Sequence, residues 1–237
     1  MLSQWERAIR VPTVAQVGLI LGYLQVAGER QDHILELART AREPNWLTES
    51  TSDIGPALTG LLQCERTAIR INCWALTIVP GLFQTADYAR SILSSGDLTL
   101  SQVDARLIVR LGRQEILTCK APIQLNAIIS ERALYEPVGS EDTMSDQIDH
   151  LHEVSKLPNV SLRVLTAQSE FHLGQMGSFF VYEYDDAPAV VLLEHAFTSV
   201  FLHEDAQVNA YRNLAKILAG NALSDEASRA LIAEAMR

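Results

Sequence analysis

The sequence predicts an α+β protein, in which a helical N-terminal region precedes a mixed or antiparallel sheet flanked by helices. The first part of the chain carries apolar side chains at helical spacing. Short runs with β-branched or aromatic character, separated by turn residues, follow one another between residues 161 and 194. Helical patterns stand before, between and after the strand-like runs, and this interleaving indicates α+β architecture.

The N-terminal helices are bounded by recognisable breaks. Pro12-Thr13 supplies a break and an N-cap, and apolar residues then recur at helical spacing from Val14 until Gly28. A further helix is predicted over residues 30–42 and is stopped by Pro44. The polar stretch 48–56 is the predicted boundary, which divides the chain into residues 1–50 and a larger domain at residues 57–237.

The larger domain alternates between the two periodicities. Capping residues at Thr85 and Ser101 each predict the start of a helix, and Pro80-Gly81 predicts a turn. Strands are predicted over residues 67–74, 123–129, 161–165, 178–184 and 189–194, and further helices over residues 57–66, 144–154, 204–219 and 225–236.

Composition narrows the class of protein. The 237 residues are 48% hydrophobic and 20% charged, as in ordinary globular proteins, with a formal net charge of −10. No apolar run approaches the roughly 18 residues that a membrane span needs, and no signal pattern is present, so we expect a cytoplasmic protein without membrane association. The three cysteines match no zinc motif, and no cofactor motif occurs, so we expect neither a metal nor a cofactor.

A twelve-residue segment carries a family resemblance. Residues 79–90, VPGLFQTADYAR, resemble the signature VPGLLQTxDYAR of the C-terminal domain of Xre-type helix-turn-helix regulators, a bacterial family described as antitoxin-like transcriptional regulators. Three further motifs are similar in order and spacing, so that the resemblance covers about residues 60–222. They are Arg110-x-x-Arg113-Gln114-x-x-Leu117, Ile129-x-Glu131-x-x-Leu134 and Leu157-Pro158-Asn159-Val160.

The opening segment is similar to the end of that family's recognition helix, SxWERGxRxP. By this resemblance Ser3, Gln4 and Arg7 would be the DNA-contacting residues, here vestigial. The first two helices of the motif have no counterpart ahead of Ser3, and Ala8 stands where the family has a capping glycine. Residues 1–50 carry five arginines against six carboxylates, so the basic face that DNA attracts is missing. We therefore expect DNA binding to be weak or lost, unless Met1 is not the native start.

Candidate site residues fall into two groups. Glu131 and the pair Glu194-His195 follow predicted strands, where a carboxylate and an imidazole could converge for acid–base chemistry if the protein is an enzyme. Four residues are predicted to bind a ligand: Gln84, Trp74, His172 and Met176. The buried amide of Gln84 needs hydrogen-bond partners, and His172 and Met176 lie in the loop between two predicted strands.

Two functions follow from these patterns. The resemblance implies a regulatory module that binds a small-molecule ligand or a small companion protein and acts in transcription regulation, and a homodimer is plausible. The alternative is a cofactor-independent enzyme, a cyclase or isomerase of specialised metabolism that reuses the sensor pocket. Structural roles for the strand-end carboxylates and for the signature turn are favoured over functional ones.

Overall fold

A computed structural model describes Trp5 and residues 12–40, 47–49, 56–196 and 198–235. Its centre is a seven-stranded sheet in the order β1-β7-β6-β5-β2-β3-β4. Strands β2, β3 and β4 are parallel, whereas β5, β6, β7 and β1 continue the sheet in antiparallel pairs. Helices lie before, between and after the strands, and the predicted α+β class with a mixed sheet is confirmed.

The strands are β1 (Leu47–Glu49), β2 (Arg70–Ala75), β3 (Gln124–Ser130), β4 (Val160–Leu165), β5 (Phe179–Glu183), β6 (Val190–Glu194) and β7 (Thr198–Leu202). The helices are α1 (Val14–Tyr23), α2 (Glu29–Thr40), α3 (Pro56–Thr67), α4 (Ala86–Ser94), α5 (Leu100–Gly112), α6 (Arg132–Tyr135), α7 (Glu141–Val154), α8 (Asp205–Asn221) and α9 (Asp225–Ala235). Short 3₁₀ turns occupy Gly81–Phe83, Arg113–Leu117 and Leu173–Met176. Among the described helices, none is both long and apolar enough to span a bilayer.

Helix starts follow the capping residues. Thr13 and Thr99 form capping boxes with the glutamines three residues later, and Thr85 accepts a hydrogen bond from the backbone N–H of Tyr88. Two predicted starts are shifted, because Thr99 rather than Ser101 caps α5 and Ser140 caps α7 ahead of the predicted residue 144.

The sheet separates two hydrophobic cores. On one face, residues such as Ile71, Leu125, Ile129 and Tyr182 pack against α3, α7, α9 and the 3₁₀ turns. On the other face, the core contains Trp74, Phe179 and Val191 and is closed by residues of α8. Alternating side chains of each strand serve the two faces, as expected of a sheet covered on both sides.

Two strands differ from the sequence prediction. The short segment Thr198–Leu202 forms β7, which pairs with β6, and Leu47–Glu49 pairs with β7 as an edge strand. Neither segment shows a clear alternation of polar and apolar residues. The five residues of β7 are all half-buried or buried, and β1 has only three residues. The sheet therefore begins ahead of the predicted domain boundary at 48–56.

Candidate ligand-binding groove

Helix α8 covers only part of the face of the sheet against which it packs. Seven strands at the usual spacing span about 30 Å, whereas a helix with its side chains is about 10 Å wide. Within the described residues, α8 is the helix that supplies buried side chains to the core on this face. A groove of about 650 Å³ therefore opens beside α8, over the first halves of β2, β3 and β4.

The floor of the groove is a row of polar side chains. Asn72, Asn126 and Ser161 are paired in register across the three parallel strands. The amide of Asn126 donates to the side-chain oxygen of Asn72 at 2.9 Å, and the Ser161 hydroxyl donates to Asp225 at 2.7 Å. Asn126 is exposed although β3 has a neighbouring strand on either side.

The walls of the groove are cationic. Four cations line it: Arg70 at the start of β2, Arg163 on β4, and Arg212 and Lys216 on α8. The carboxylate among its lining residues is that of Glu183. This local excess of positive charge is opposite in sign to the net charge of the chain, −10. We call this site, with its amide floor and basic walls, the cationic groove.

Two of the four cations are already engaged within the protein. Arg212 donates two hydrogen bonds to the Glu183 carboxylate, and that carboxylate raises the pKa of Arg212. Arg163 donates to the backbone carbonyls of Leu223 and Ala222, at 2.7 and 2.8 Å. The side chains of Arg70 and Lys216 are exposed. Neither side chain has a hydrogen-bond or ion-pair partner in the part of the chain that the structure describes.

The strand-end residues predicted from the sequence do not converge. Glu131 follows β3 and Glu194 ends β6, and these strands are separated by β2 and β5, which places them about 14 Å apart. Glu131 accepts the backbone N–H of Ala167 at 2.7 Å, so it fastens the loop after β4.

Glu194 and His195 also diverge from each other, on opposite faces of the sheet. The Glu194 carboxylate contributes to raising the pKa of Arg113 on one face, whereas His195 lines an apolar groove with Leu193 and Tyr211 on the other. The arrangement of these three residues therefore does not form an acid–base site.

Gln84 lies in the interior and holds the signature turn, residues 79–85. Its amide donates to the carbonyl of Val79 at 2.7 Å, and its side-chain oxygen accepts from Arg110 at 2.9 Å. With 3% of its surface exposed, the side chain has its polar groups satisfied within the protein. The Gln84 side chain therefore bonds within the protein instead of facing a ligand. We call its hydrogen bonds to Val79 and Arg110 the internal clamp.

The remaining motif residues extend this clamp. Gln114 donates to the backbone carbonyl of Gln84 at 2.7 Å, and Arg113 forms two hydrogen bonds to Glu65 at 2.7 and 2.8 Å. Burial alone would lower the pKa of Arg113, but the Glu65 carboxylate raises it overall. Asn159, of the fourth motif, donates to the carbonyls of Leu117 and Ile123. Hydrogen bonds thus join three of the four motifs, and Ile129 and Leu134 of the third lie in the hydrophobic core on the same face.

The three remaining predicted ligand residues gather around one turn. The indole Nε1 of Trp74 donates to the carbonyl of Gly174 at 2.8 Å, and His172 packs edge-to-face on Trp74 with the ring centroids 5.6 Å apart. Trp74 lines the cationic groove, whereas Met176 is 77% exposed and borders the apolar groove with His195. The vestigial DNA contacts Ser3, Gln4 and Arg7 lie outside the described residues.

Apart from Trp74, the residues of the cationic groove were missed in the sequence. A signal existed, because Asn72, Asn126 and Ser161 are polar residues that each stand between two apolar residues of a strand and face one side of the sheet. Their alignment depends on strand register, which one sequence does not reveal. Among the described residues, no three of His, Cys, Asp or Glu are grouped to hold a metal ion.

Comparison with known proteins places the chain in a family. Residues 58–234 match the family described as a domain of unknown function, DUF5753. This match spans well over half of the chain, so the protein belongs to that family. A comparison with curated proteins found no match.

One matching solved structure is TrmBL2, described as an archaeal chromatin protein with a novel mode of DNA binding. The two share 11% sequence identity with a TM-score of 0.35, and the alignment covers 86% of this chain. The chain spans 64% of the length of that protein. A likeness of this size shows neither a shared fold nor a shared function.

Proposed function

We propose that this protein is a regulatory binding module that holds a small anionic molecule in the cationic groove. The observation that carries the proposal is the charge of the groove, where four cations face one carboxylate in a chain with a net charge of −10. Cations that have no partner within the protein attract anions more strongly in a concave site than on an open surface.

The uncovered sheet supports the same proposal. Polar side chains seldom face a hydrophobic core, yet here those of β2 and β3 form a floor of hydrogen-bonding groups under an open groove. A volume of about 650 Å³ suits a small metabolite, since such sites usually measure about 300–1,000 Å³. The groove therefore combines the shape and the polar groups of a metabolite site.

The regulatory part of the proposal rests on the sequence resemblance. Regulators of the Xre type carry a C-terminal domain that senses or interacts, and this chain has the four motifs of that domain. Since the N-terminal segment lacks an excess of positive charge, we propose that the chain binds DNA weakly by itself. A gel-shift assay that detects tight, sequence-specific DNA binding by the 237-residue chain would contradict this part.

Ligand binding is tested by thermal stabilisation. A ligand that binds only the folded state raises its stability by about 2.7 kcal/mol at a hundredfold excess over the dissociation constant. We expect a subset of organic anions to raise the melting temperature of the protein, with an effect that weakens as salt is added.

The matched variants are Arg70→Gln and Lys216→Gln, each removing one free cation of the groove. Their controls are Arg66→Gln, on a helix of the opposite face, and Lys120→Gln, in the turn before β3. Loss of stabilisation in the groove variants alone supports the proposal. Equal stabilisation in all four variants, or no anion effect in any, refutes it.

A further inference from the structure

We infer that the ligand of the cationic groove is a phosphomonoester, a phosphate dianion carried on a neutral body with several hydrogen-bonding groups. The inference rests on the proposed function and adds the chemical class of the ligand. Three features of the groove carry it: the position of its charges, the number of uncommitted cations, and the polarity of its floor.

The charges of the groove are concentrated at one end. Arg70 is directly opposite Glu183 in the β2–β5 pair, and Arg212 binds the same Glu183 carboxylate. Lys216 follows Arg212 by one helical turn, about 6 Å along α8. The two free cations therefore both lie near the Glu183–Arg212 pair, one on the strand and one on the helix, so that one anionic group placed between them would neutralise both.

The number of free cations fits a dianion. Arg212 presents its guanidinium fork to Glu183, so Arg70 and Lys216 are the groove cations left without a partner in the described residues. A phosphomonoester carries a charge of about −1.5 to −2 at neutral pH and offers three acceptor oxygens. A monocarboxylate would neutralise only one of these cations and leave the other unsatisfied.

The other end of the groove has no uncommitted cation, and the Ser161 hydroxyl there donates to the Asp225 carboxylate. Its floor is the row Asn72, Asn126 and Ser161, and the cation beyond it, Arg163, is committed to two backbone carbonyls. A dicarboxylate with a charge at each end would therefore lack a free cation for its second group. The amides that remain after the Asn126–Asn72 hydrogen bond offer both donors and acceptors, which suits hydroxyl groups or the edge of a heterocycle.

The helix wall gives the body room. Ala215 and Ala219 on α8 line the groove together with Ile128 of β3, so the helix side of this space carries small side chains. A flat or ring-shaped body fits such a gap with its polar edge on the floor. A nucleoside and a sugar both meet this description, and the ligand arms of the experiment distinguish them.

The experiment is isothermal titration calorimetry on the full chain. The probes are adenosine monophosphate, uridine monophosphate, glucose 6-phosphate, adenosine, inorganic phosphate and succinate. We expect at least one of the three phosphomonoesters to bind tenfold or more tightly than inorganic phosphate, adenosine and succinate. Arg70→Gln and Lys216→Gln should each weaken that binding by about 10- to 100-fold, since a hydrogen bond to a charged group contributes about 1.5–3 kcal/mol.

A third variant separates the two ends of the ligand. Asn126→Ala should weaken the phosphomonoester about 3- to 30-fold while leaving any affinity for inorganic phosphate unchanged, because Asn126 is on the neutral floor. The controls Arg66→Gln and Lys120→Gln should stay within twofold of the wild type. Melting temperatures within 2 °C of the wild type would show that these exposed positions do not affect folding.

The outcomes separate this inference from the proposed function. If succinate binds in the groove as tightly as any phosphomonoester, and Arg70→Gln weakens it, the ligand class is wrong and the anion-binding module stands. If a phosphomonoester binds but Asn126→Ala has no effect, the neutral floor does not select the body and the inference fails. If no probe binds and no organic anion stabilises the protein, both are overturned.

Discussion

The buried ion pair between Glu65 and Arg113 makes a sharp prediction about stability. The two side chains are 3% and 9% exposed and are joined by two hydrogen bonds. Burial raises the pKa of the Glu65 carboxyl, and the guanidinium of Arg113 opposes that rise. Replacing one member of such a pair leaves an uncompensated charge in the interior, which costs about 3–5 kcal/mol in other proteins.

For Glu65→Gln we expect a loss of about 3 kcal/mol. The lower end of the range applies because glutamine keeps one hydrogen-bond acceptor and because the Glu194 carboxylate also favours the charged form of Arg113. The corresponding fall in melting temperature is about 6–12 °C for a chain of this length. Urea denaturation followed by circular dichroism at pH 7 measures the free energy directly.

The matched control is the exposed pair Arg90–Asp104, whose side chains are 46% and 58% exposed at a separation of 2.6 Å. Asp104→Asn removes the same type of charge and should cost less than about 1 kcal/mol, because water replaces the lost interaction. The double variant Glu65→Leu/Arg113→Met should be more stable than Glu65→Gln, since it removes both buried charges. A cost for Glu65→Gln no larger than that for Asp104→Asn would refute the reasoning.

Three further predictions follow from buried groups. Burial lowers the pKa of His150 below its ordinary 6.5, so its contribution to stability is present above pH 6.5 and is lost as pH falls through the folded-state pKa; His150→Gln should flatten this slope in thermal melts. Cys119 is exposed whereas the other two cysteines are buried with raised pKa values, so a thiol reagent should label one cysteine in the folded protein and three in urea, and rapid labelling of more than one would contradict the packing. Gln147 is fully buried and bonds two backbone groups of the signature turn, so Gln147→Leu should cost about 2–4 kcal/mol in urea denaturation, and a loss below 1 kcal/mol would count against the clamp.

Local signals in the sequence predicted most elements correctly. Capping by Thr13 and Thr85 and the apolar spacing behind them are decided within a few residues, so the helices that follow were predictable. The strand β7 was missed because its five residues are bounded by no clear turn signal and carry both polar and apolar side chains. Where an element depends on pairing with a distant segment, a single sequence contains little of the information.

The predicted site failed for a topological reason. Glu131, Glu194 and His195 do follow strands, and all three stand at one end of the sheet, as expected. Convergence also required β3 and β6 to be neighbours, whereas the order β6-β5-β2-β3 places two strands between them. Strand order was not predictable from the alternation of polar and apolar residues, which determines only the face that each side chain takes.

The positions of the four motifs explain why they indicate a fold more directly than a ligand. The side chains of Gln84, Arg110 and Gln114 bond to one another or to the backbone of the signature turn, on the sheet face opposite α8. The cationic groove uses other residues, and these occur before, between or after the motifs, as Asn72, Asn126 and Arg212 do. Because the two sets share no hydrogen bond within the described residues, changes in the groove should alter ligand preference with little effect on folding. The clamp can therefore serve as a common scaffold, and under the proposed function the side chains of the cationic groove would determine which anion binds.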